Sequence, residues 1–187
     1  MAYTFDEPKL GLLQIAAVDD GVLSPSSTSD TSITTRIPTP PNVLGQVVRA
    51  KDPTYGEGEF ILLPGCASSV LGIVVTYSPT TWATTVVPST ANLSQPVAVA
   101  MVGNTDTAKF NWYQVSGLAV VKKTAVKVDP AATRRMYISG TAGRLMQTSA
   151  AGKNILGCAS ANVATVTSTT STVVCSINRP HCQGPIT

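Results

Sequence analysis

FNWYQVSGLAVVKKTAVKV, residues 110 to 128, is the stretch whose reading decides the fold. Phe110, Trp112, Tyr113 and Val115 lead into Ser116-Gly117, and Leu118, Val120, Val126 and Val128 follow at even positions. Lys123 and Lys127 take odd ones. Aromatic and β-branched residues with a repeat of two predict β-strand. Ser116-Gly117 either turns the chain back or bulges one long strand. The expectation is an antiparallel sheet with one dry face of even-numbered residues and one face bearing the lysines.

Working outward, the same pattern recurs. Upstream, strands are expected at 45–52, 59–65, 70–77 and 96–102, with a Thr/Pro-rich loop or edge strand around Trp82. Downstream, short strands at 135–138 and 144–147 flank a turn, 155–161 follows, and a long Val/Thr strand is expected from Val163 to Ser176. Many short strands at regular spacing, with turn signals between them, predict an all-β fold, an antiparallel sandwich or barrel. Residues 1–43 read differently. SPSSTSDTSITTRIPTPPN, residues 24 to 42, is dominated by Ser, Thr and Pro, and cannot form regular ladders. Two units are therefore expected, an extended arm over 1–43 and a β-rich domain over 44–187. The arm is either a flexible linker or a segment that adds a strand to a neighbouring subunit.

Composition narrows the function classes. Charged residues make up 12% of the 187 residues, while Thr and Ser number 25 and 17. Such a surface is neutral, hydrogen-bonding and β-prone, and suits a protein packed among neighbours. The net charge of +3 is spread over isolated pairs such as Lys122-Lys123 and Arg134-Arg135, without the basic stripe of a nucleic-acid binder. Apolar runs such as Val97 to Val102 are too short to span a bilayer. No basic start followed by an apolar core and a cleavage site is seen, so synthesis in a cytoplasm is expected. Cys66, Cys158, Cys175 and Cys182 are widely spaced, without a CxxC pair. They allow three pairings, and in a reducing compartment buried free thiols are the default.

Catalytic constellations fare poorly. His181, the single histidine, lies in RPHCQGPIT near the C-terminus, where a base is not expected to be held rigidly. His181-Cys182 with Cys175 is at most half a zinc site, so no metal and no cofactor are expected. Most acids sit at turn signals. Glu57 and Glu59 flank Gly58, and are the one pair worth weighing as hydrolytic carboxylates against an exposed hairpin. The interface candidates are Trp82, Trp112, Tyr113, Arg134 and Arg135, because Trp, Tyr and Arg are favoured at protein contacts. Trp112 and Tyr113, as neighbours on a strand, face opposite sides, so one fills the core and the other is free to anchor a partner. Trp82 reads equally as a receptor-binding tip or as a plug under a long loop.

GQVVRAKDPTYGEGEFILLPG, then PVAVAMVGN before FNWYQVSGLAVV, then INRPHCQGPIT, together resemble structural proteins of tailed bacteriophage heads, of the capsid cement or decoration type. The likeness covers residues 44–187, rests on packing and turn patterns, and supplies no catalytic residue. It implies a β-rich virion protein on the outside of an icosahedral capsid, a homo-oligomer that ties neighbouring major capsid protein subunits together. A tail or fibre component binding a host receptor is the alternative.

Overall fold

The computed structural model describes residues 4–5 and 44–185. The fold is all-β and antiparallel, a curled sheet without a helix among the described residues. Its strands are β1 (Thr4–Phe5), β2 (Val47–Asp52), β3 (Gly56–Pro64), β4 (Val74–Tyr77), β5 (Thr84–Val86) and β6 (Val97–Ala100). After them come β7 (Phe110–Lys122), β8 (Arg135–Ile138), β9 (Leu145–Met146), β10 (Asn154–Ser160) and β11 (Thr172–Cys182). The sheet runs β1-β2-β3-β7-β11-β10-β8-β9, with β4, β5 and β6 branching from β7.

β7 organises the sheet because its two edges are used differently along its length. One edge pairs with β3 from Phe110 to Ser116. The other edge takes β6 at Tyr113 and Gln114, and β11 from Ser116 to Lys122. Ser116 is opposite both Glu59 and Asn178, which places β6 and β11 in tandem on the same edge. Beyond β3, the first edge is taken by a turn: the Lys122 N–H donates to the Gly72 carbonyl at 2.8 Å.

Ser116-Gly117 is a bulge within one strand. Glu59 pairs with Ser116 and Phe60 with Gln114, so Val115 has no counterpart on β3. Gly117 adopts φ +100°, and a Cβ there would lie 2.4 Å from the Glu57 carbonyl oxygen. The extra residue shifts the phase of every side chain after it. Register partners share a face. Val99 pairs with Gln114, and it packs in one cluster with Ala119 and Val121. On this one face the residues are thus even before the bulge (Phe110, Trp112, Gln114) and odd after it (Ala119, Val121, Lys123).

This corrects the expected polarity. Leu118 and Val120 are half-exposed, and Lys123 is 1% exposed. The Lys123 ammonium donates to the carbonyls of Val126 at 2.8 Å and Thr124 at 3.2 Å. Burial lowers its pKa from the ordinary lysine value.

Both faces of the first half of β7 are covered. Trp112 packs with Val48, Phe60, Leu62 and Met101 on one side, and Tyr113 with Ile61, Leu63, Ala98 and Ala100 on the other. The third cluster joins Val74, Val97, Val99 and Val121 to Ile155, Val173 and Ile177.

Two expectations downstream are also corrected. The long strand does not run from Val163 to Ser176; residues 163–171 form a loop, and β11 starts at Thr172. Thr and Val propensity is not enough where pairing stops at a single bridge, Val166 with Val128, and Thr167 instead meets the hydroxyls of Thr169 and Thr170 at 2.9 and 3.1 Å. His181 is not in a loose tail: it pairs with Leu156 inside β11. Pro180 is accommodated because the register shifts between Leu156 and Cys158, with Gly157 and Arg179 both at positive φ.

The expected arm lies outside the described residues apart from Thr4–Phe5, which pair with Lys51 and Ala50 on the outer edge of β2.

Candidate functional site

Past the bulge, β7 and β11 present a face that no described element covers. Its register pairs are Ser116–Asn178, Leu118–Ser176, Val120–Val174 and Lys122–Thr172. Leu118, Val120 and Val174 are half-exposed, and Ser176 and Asn178 exposed. Its centre is apolar (Leu118, Val120, Val174), Ser116, Ser176, Asn178 and Thr172 surround it, and Lys122 at one margin is the only charge among these eight residues. Beside that margin, the turn before Gly72 exposes Val70 (47%) and Leu71 (55%).

A charge ladder borders the opposite margin. Arg49 and Glu59 are register partners on β2 and β3, and Glu59 is in turn opposite Ser116. The Arg179 guanidinium donates to the Glu59 carboxylate at 2.9 Å, and Arg49 Nε lies 3.7 Å from it. Lys51 and Glu57 are the next cross-strand pair. Arg49, Glu57, Gly58, Glu59 and Ser116 line an open depression of about 210 Å³. Gly58, between Glu57 and Glu59, leaves no room for a side chain: an added Cβ would lie 3.0 Å from the Ser116 carbonyl oxygen and 3.1 Å from the Phe60 ring.

Glu57 and Glu59 therefore share one face of β3, as hydrolytic carboxylates would. Their surroundings favour another use. Glu59 is held between two guanidiniums as a hydrogen-bond acceptor, and the depression opens to solvent. The arrangement suits a polar rim that docks against complementary charge.

The interface candidates fall in three places. Trp112 and Tyr113 are both 0% exposed, so neither ring offers surface to a partner. The expectation that one of them is free fails because strands cover both sides of β7 there. The Tyr113 hydroxyl donates to the Pro64 carbonyl at 3.0 Å, and burial raises its pKa. Trp82 is half-buried at φ +61°, with its ring stacked on Tyr77 at a centroid distance of 6.5 Å. Its other side lies on Gly45, where a Cβ would overlap the indole at 2.3 Å. Trp82 thus fastens the first described residues of the domain to β4. Arg134 and Arg135 are exposed at the start of β8, and Arg134 Nη1 donates to the Ser160 and Asn162 carbonyls at 3.2 and 3.4 Å. They lie away from the uncovered face of β7, and only Arg135 keeps its guanidinium clear of a described hydrogen bond or ion pair.

The four cysteines are free and buried. Cys158, Cys175 and Cys182 share one apolar cluster. Burial pushes the Cys182 thiol to about 11 and also raises Cys66. Cys175 is raised well above the ordinary thiol value by its hydrogen bond with Cys158 and by burial. These are packed thiols, not nucleophiles. Among the described residues, no group of three or more His, Cys, Asp or Glu side chains is arranged to hold a metal ion.

No protein-family model matches this chain. No curated protein and no solved structure matches it either.

The elements that sequence reasoning missed are the Arg49–Glu59–Arg179 ladder and the uncovered face beside it. Arg179 was hidden by its place in an apparent tail. The face was hidden by the phase change at Val115, which no local pattern announces.

Proposed function

We propose that this chain is a virion structural protein of the capsid cement or decoration type, which binds the outside of an icosahedral shell and ties neighbouring capsid subunits together. The β7–β11 face that no described strand covers carries the reading. It combines an apolar centre (Leu118, Val120, Val174) with hydroxyl and amide groups and a charged margin, the anatomy of a protein–protein contact. A shell offers such a face many identical partners. Binding only the assembled lattice stabilises it by about 2.7 kcal/mol per site at a hundredfold excess over the dissociation constant. Repetition then makes modest contacts hard to undo. The resemblance of residues 44–187 to phage head proteins points the same way.

In this reading the partners are the major capsid protein and further copies of the chain. The protein is made in the host cytoplasm, ends on the capsid outer surface, and takes no direct part in nucleic-acid or membrane contact. It is not an enzyme and uses no cofactor.

A second reading, a tail or fibre component that binds a host receptor, is favoured by the loop between β10 and β11. Val163 is 95% exposed there, beside the Thr-rich run 165–172. That loop replaces the one around Trp82 as the receptor tip.

Copy number in purified particles tests both readings. Hundreds of copies per particle are expected for a cement protein and a handful for a tail component. Absence from particles overturns both.

A further inference from the structure

We propose that the outer face of the β8–β9 wall is a second docking surface, which takes an acidic protein surface. It rests on the cement reading, in which a chain that ties two subunits together needs two separate contacts; the β7–β11 face supplies one.

The first observation is where the positive charge lies. Between Lys122 and Lys153 the chain carries seven Lys or Arg residues and one acid, Asp129. The other described residues hold four cations against four acids. The excess charge is local to one stretch.

The second is how those seven are used. Lys123 is buried and donates to backbone carbonyls. Lys127 pairs with Asp129 at 3.3 Å. Arg134 donates to the Ser160 and Asn162 carbonyls, and Lys153 to the Ser89 carbonyl at 2.6 Å. Lys122, Arg135 and Arg144 are left without a side-chain hydrogen bond or ion pair among the described residues.

The third is that strand register gathers these three. β9 lies between β8 and the end of β7, with Leu145 opposite Ile138 on one side and Lys123 on the other. Ile138, Leu145 and Lys123 are all buried. Lys122 and Arg144 each precede the parallel bridge Lys123–Leu145 by one residue, so they stand side by side on the outside. Tyr137 pairs with Met146 of β9 and Asn154 of β10. Met136, Ile138 and Leu145 enter the core cluster, whereas Tyr137 and Met146 do not; those two floor the outer face. Arg144 and Arg135 are exposed and flank this pair from opposite sides, each two residues away, about 7 Å along the strands. Leu156, two residues past Asn154, adds an aliphatic side chain that is 39% exposed.

An apolar floor of Tyr137, Met146 and Leu156 set among free cations fits a partner whose carboxylates ring an apolar centre. Tyr, Met and Arg are residue types enriched at protein contacts. Proteins that track a nucleic-acid backbone make about 6–10 phosphate contacts, and three cations around an apolar floor fall short of that.

The test uses the full chain and a fluorescent random copolymer of glutamate and tyrosine as the acidic probe, read by anisotropy at low salt. Arg135→Glu with Arg144→Glu reverses the two exposed guanidiniums. Arg49→Glu with Lys109→Glu removes the same net charge elsewhere, and circular dichroism checks the fold of both double variants. Binding by the unaltered chain is expected, at least about tenfold weaker in Arg135→Glu/Arg144→Glu and within about twofold of unaltered in the control. Carbodiimide, which joins a carboxylate to an amine in contact with it, supplies a measurement independent of substitution. Mass spectrometry should place the coupling to the copolymer on Lys122 ahead of Lys109 and Lys127.

Absent binding at millimolar copolymer, equal losses in the two double variants, or coupling that avoids Lys122 overturns the second surface. Tighter binding to a DNA duplex or to phosphatidylserine vesicles than to the copolymer overturns it as well. Copy counting in particles tests the cement reading separately. Absence from particles removes that reading and leaves the copolymer result standing; a particle-borne chain whose Arg135→Glu/Arg144→Glu form attaches at full copy number removes only the second surface.

Discussion

Gln147 completes the backbone hydrogen bonding of Asp129. Its Oε1 accepts from the Asp129 N–H at 2.8 Å, and its Nε2 donates to the Asp129 carbonyl at 2.8 Å. The same Nε2 also donates to the Thr133 carbonyl. A side-chain amide here does the work of a missing strand, tying the segment after β7 to the one after β9. Gln147 is 7% exposed, so water does not replace it easily. Gln147→Leu keeps the volume and strands three backbone groups. A loss of about 1–3 kcal/mol is expected, read from the urea midpoint; a change below about 0.5 kcal/mol, the range of ordinary surface substitutions, would show that these bonds are dispensable.

Gly117 is the second sensitive point. Its φ of +100° and the Glu57 carbonyl 2.4 Å from an added Cβ leave no space for a side chain. The Gln114 amide holds the same bulge by donating to the Ser116 and Leu118 carbonyls at 3.1 and 3.0 Å. Gly117→Val is expected to destabilise by at least about 2 kcal/mol, strain at φ and a backbone collision together. Thermal melting of the variant checks it. An unchanged melting temperature would mean that the bulge is not formed there.

Stability should fall in alkali. Unfolded thiols give up their protons above about pH 8.5, whereas burial holds Cys66 and Cys182 protonated to higher pH, and Cys158 and burial do the same for Cys175. Above that pH the unfolded chain binds fewer protons than the folded one, so the slope of stability with pH is negative. Lys123, lowered by burial, works with the opposite sign up to about pH 10.4. Three thiols outnumber one amine. Urea midpoints at pH 7.5 and pH 10 should therefore drop, and drop less in Cys182→Ala. A midpoint that rises with pH would mean that Lys123 dominates.

Glu59→Gln separates the ladder's role in docking from its role in folding. The Arg49 and Arg179 side chains are 67% and 65% exposed, and ion pairs this wet contribute about 0–1 kcal/mol. The unfolding midpoint should barely move, while attachment to particles weakens. Val120→Glu, in the centre of the uncovered face, should do the same more strongly. Normal attachment by both variants would remove that face from the proposed contact.

Deletion of residues 1–43 should leave a folded domain, since residues 44–185 supply three buried clusters of their own. Circular dichroism and cooperative melting read the outcome. A truncated chain that fails to melt cooperatively would put the arm inside the folding unit.

The class of fold was legible because the alternation in Val47–Asp52 and the short apolar runs Val97–Ala100 and Arg135–Ile138, set between turn signals, are local, and the strands formed where they stood. What was not legible depended on partners distant in sequence. Lys123 read as solvated because the phase change at Val115 is visible only against β3. Residues 163–171 read as strand and RPHC as tail because ladder pairing, not propensity, decides both. The uncovered face and its charged margin join β2, β3, β7 and β11, so no single stretch contained them.

The switch at Val115 also governs how this chain can vary. Substituting one letter on either side disturbs one contact. Inserting or losing a single residue between Gln114 and Ala119 would turn the remaining half of β7 over. Ala119 and Val121 would then meet solvent, Leu118 and Val120 would be driven inward, and the pairing with β11 would offer its oily row to the outside. At this one point the spacing of the chain is a stricter constraint than its spelling.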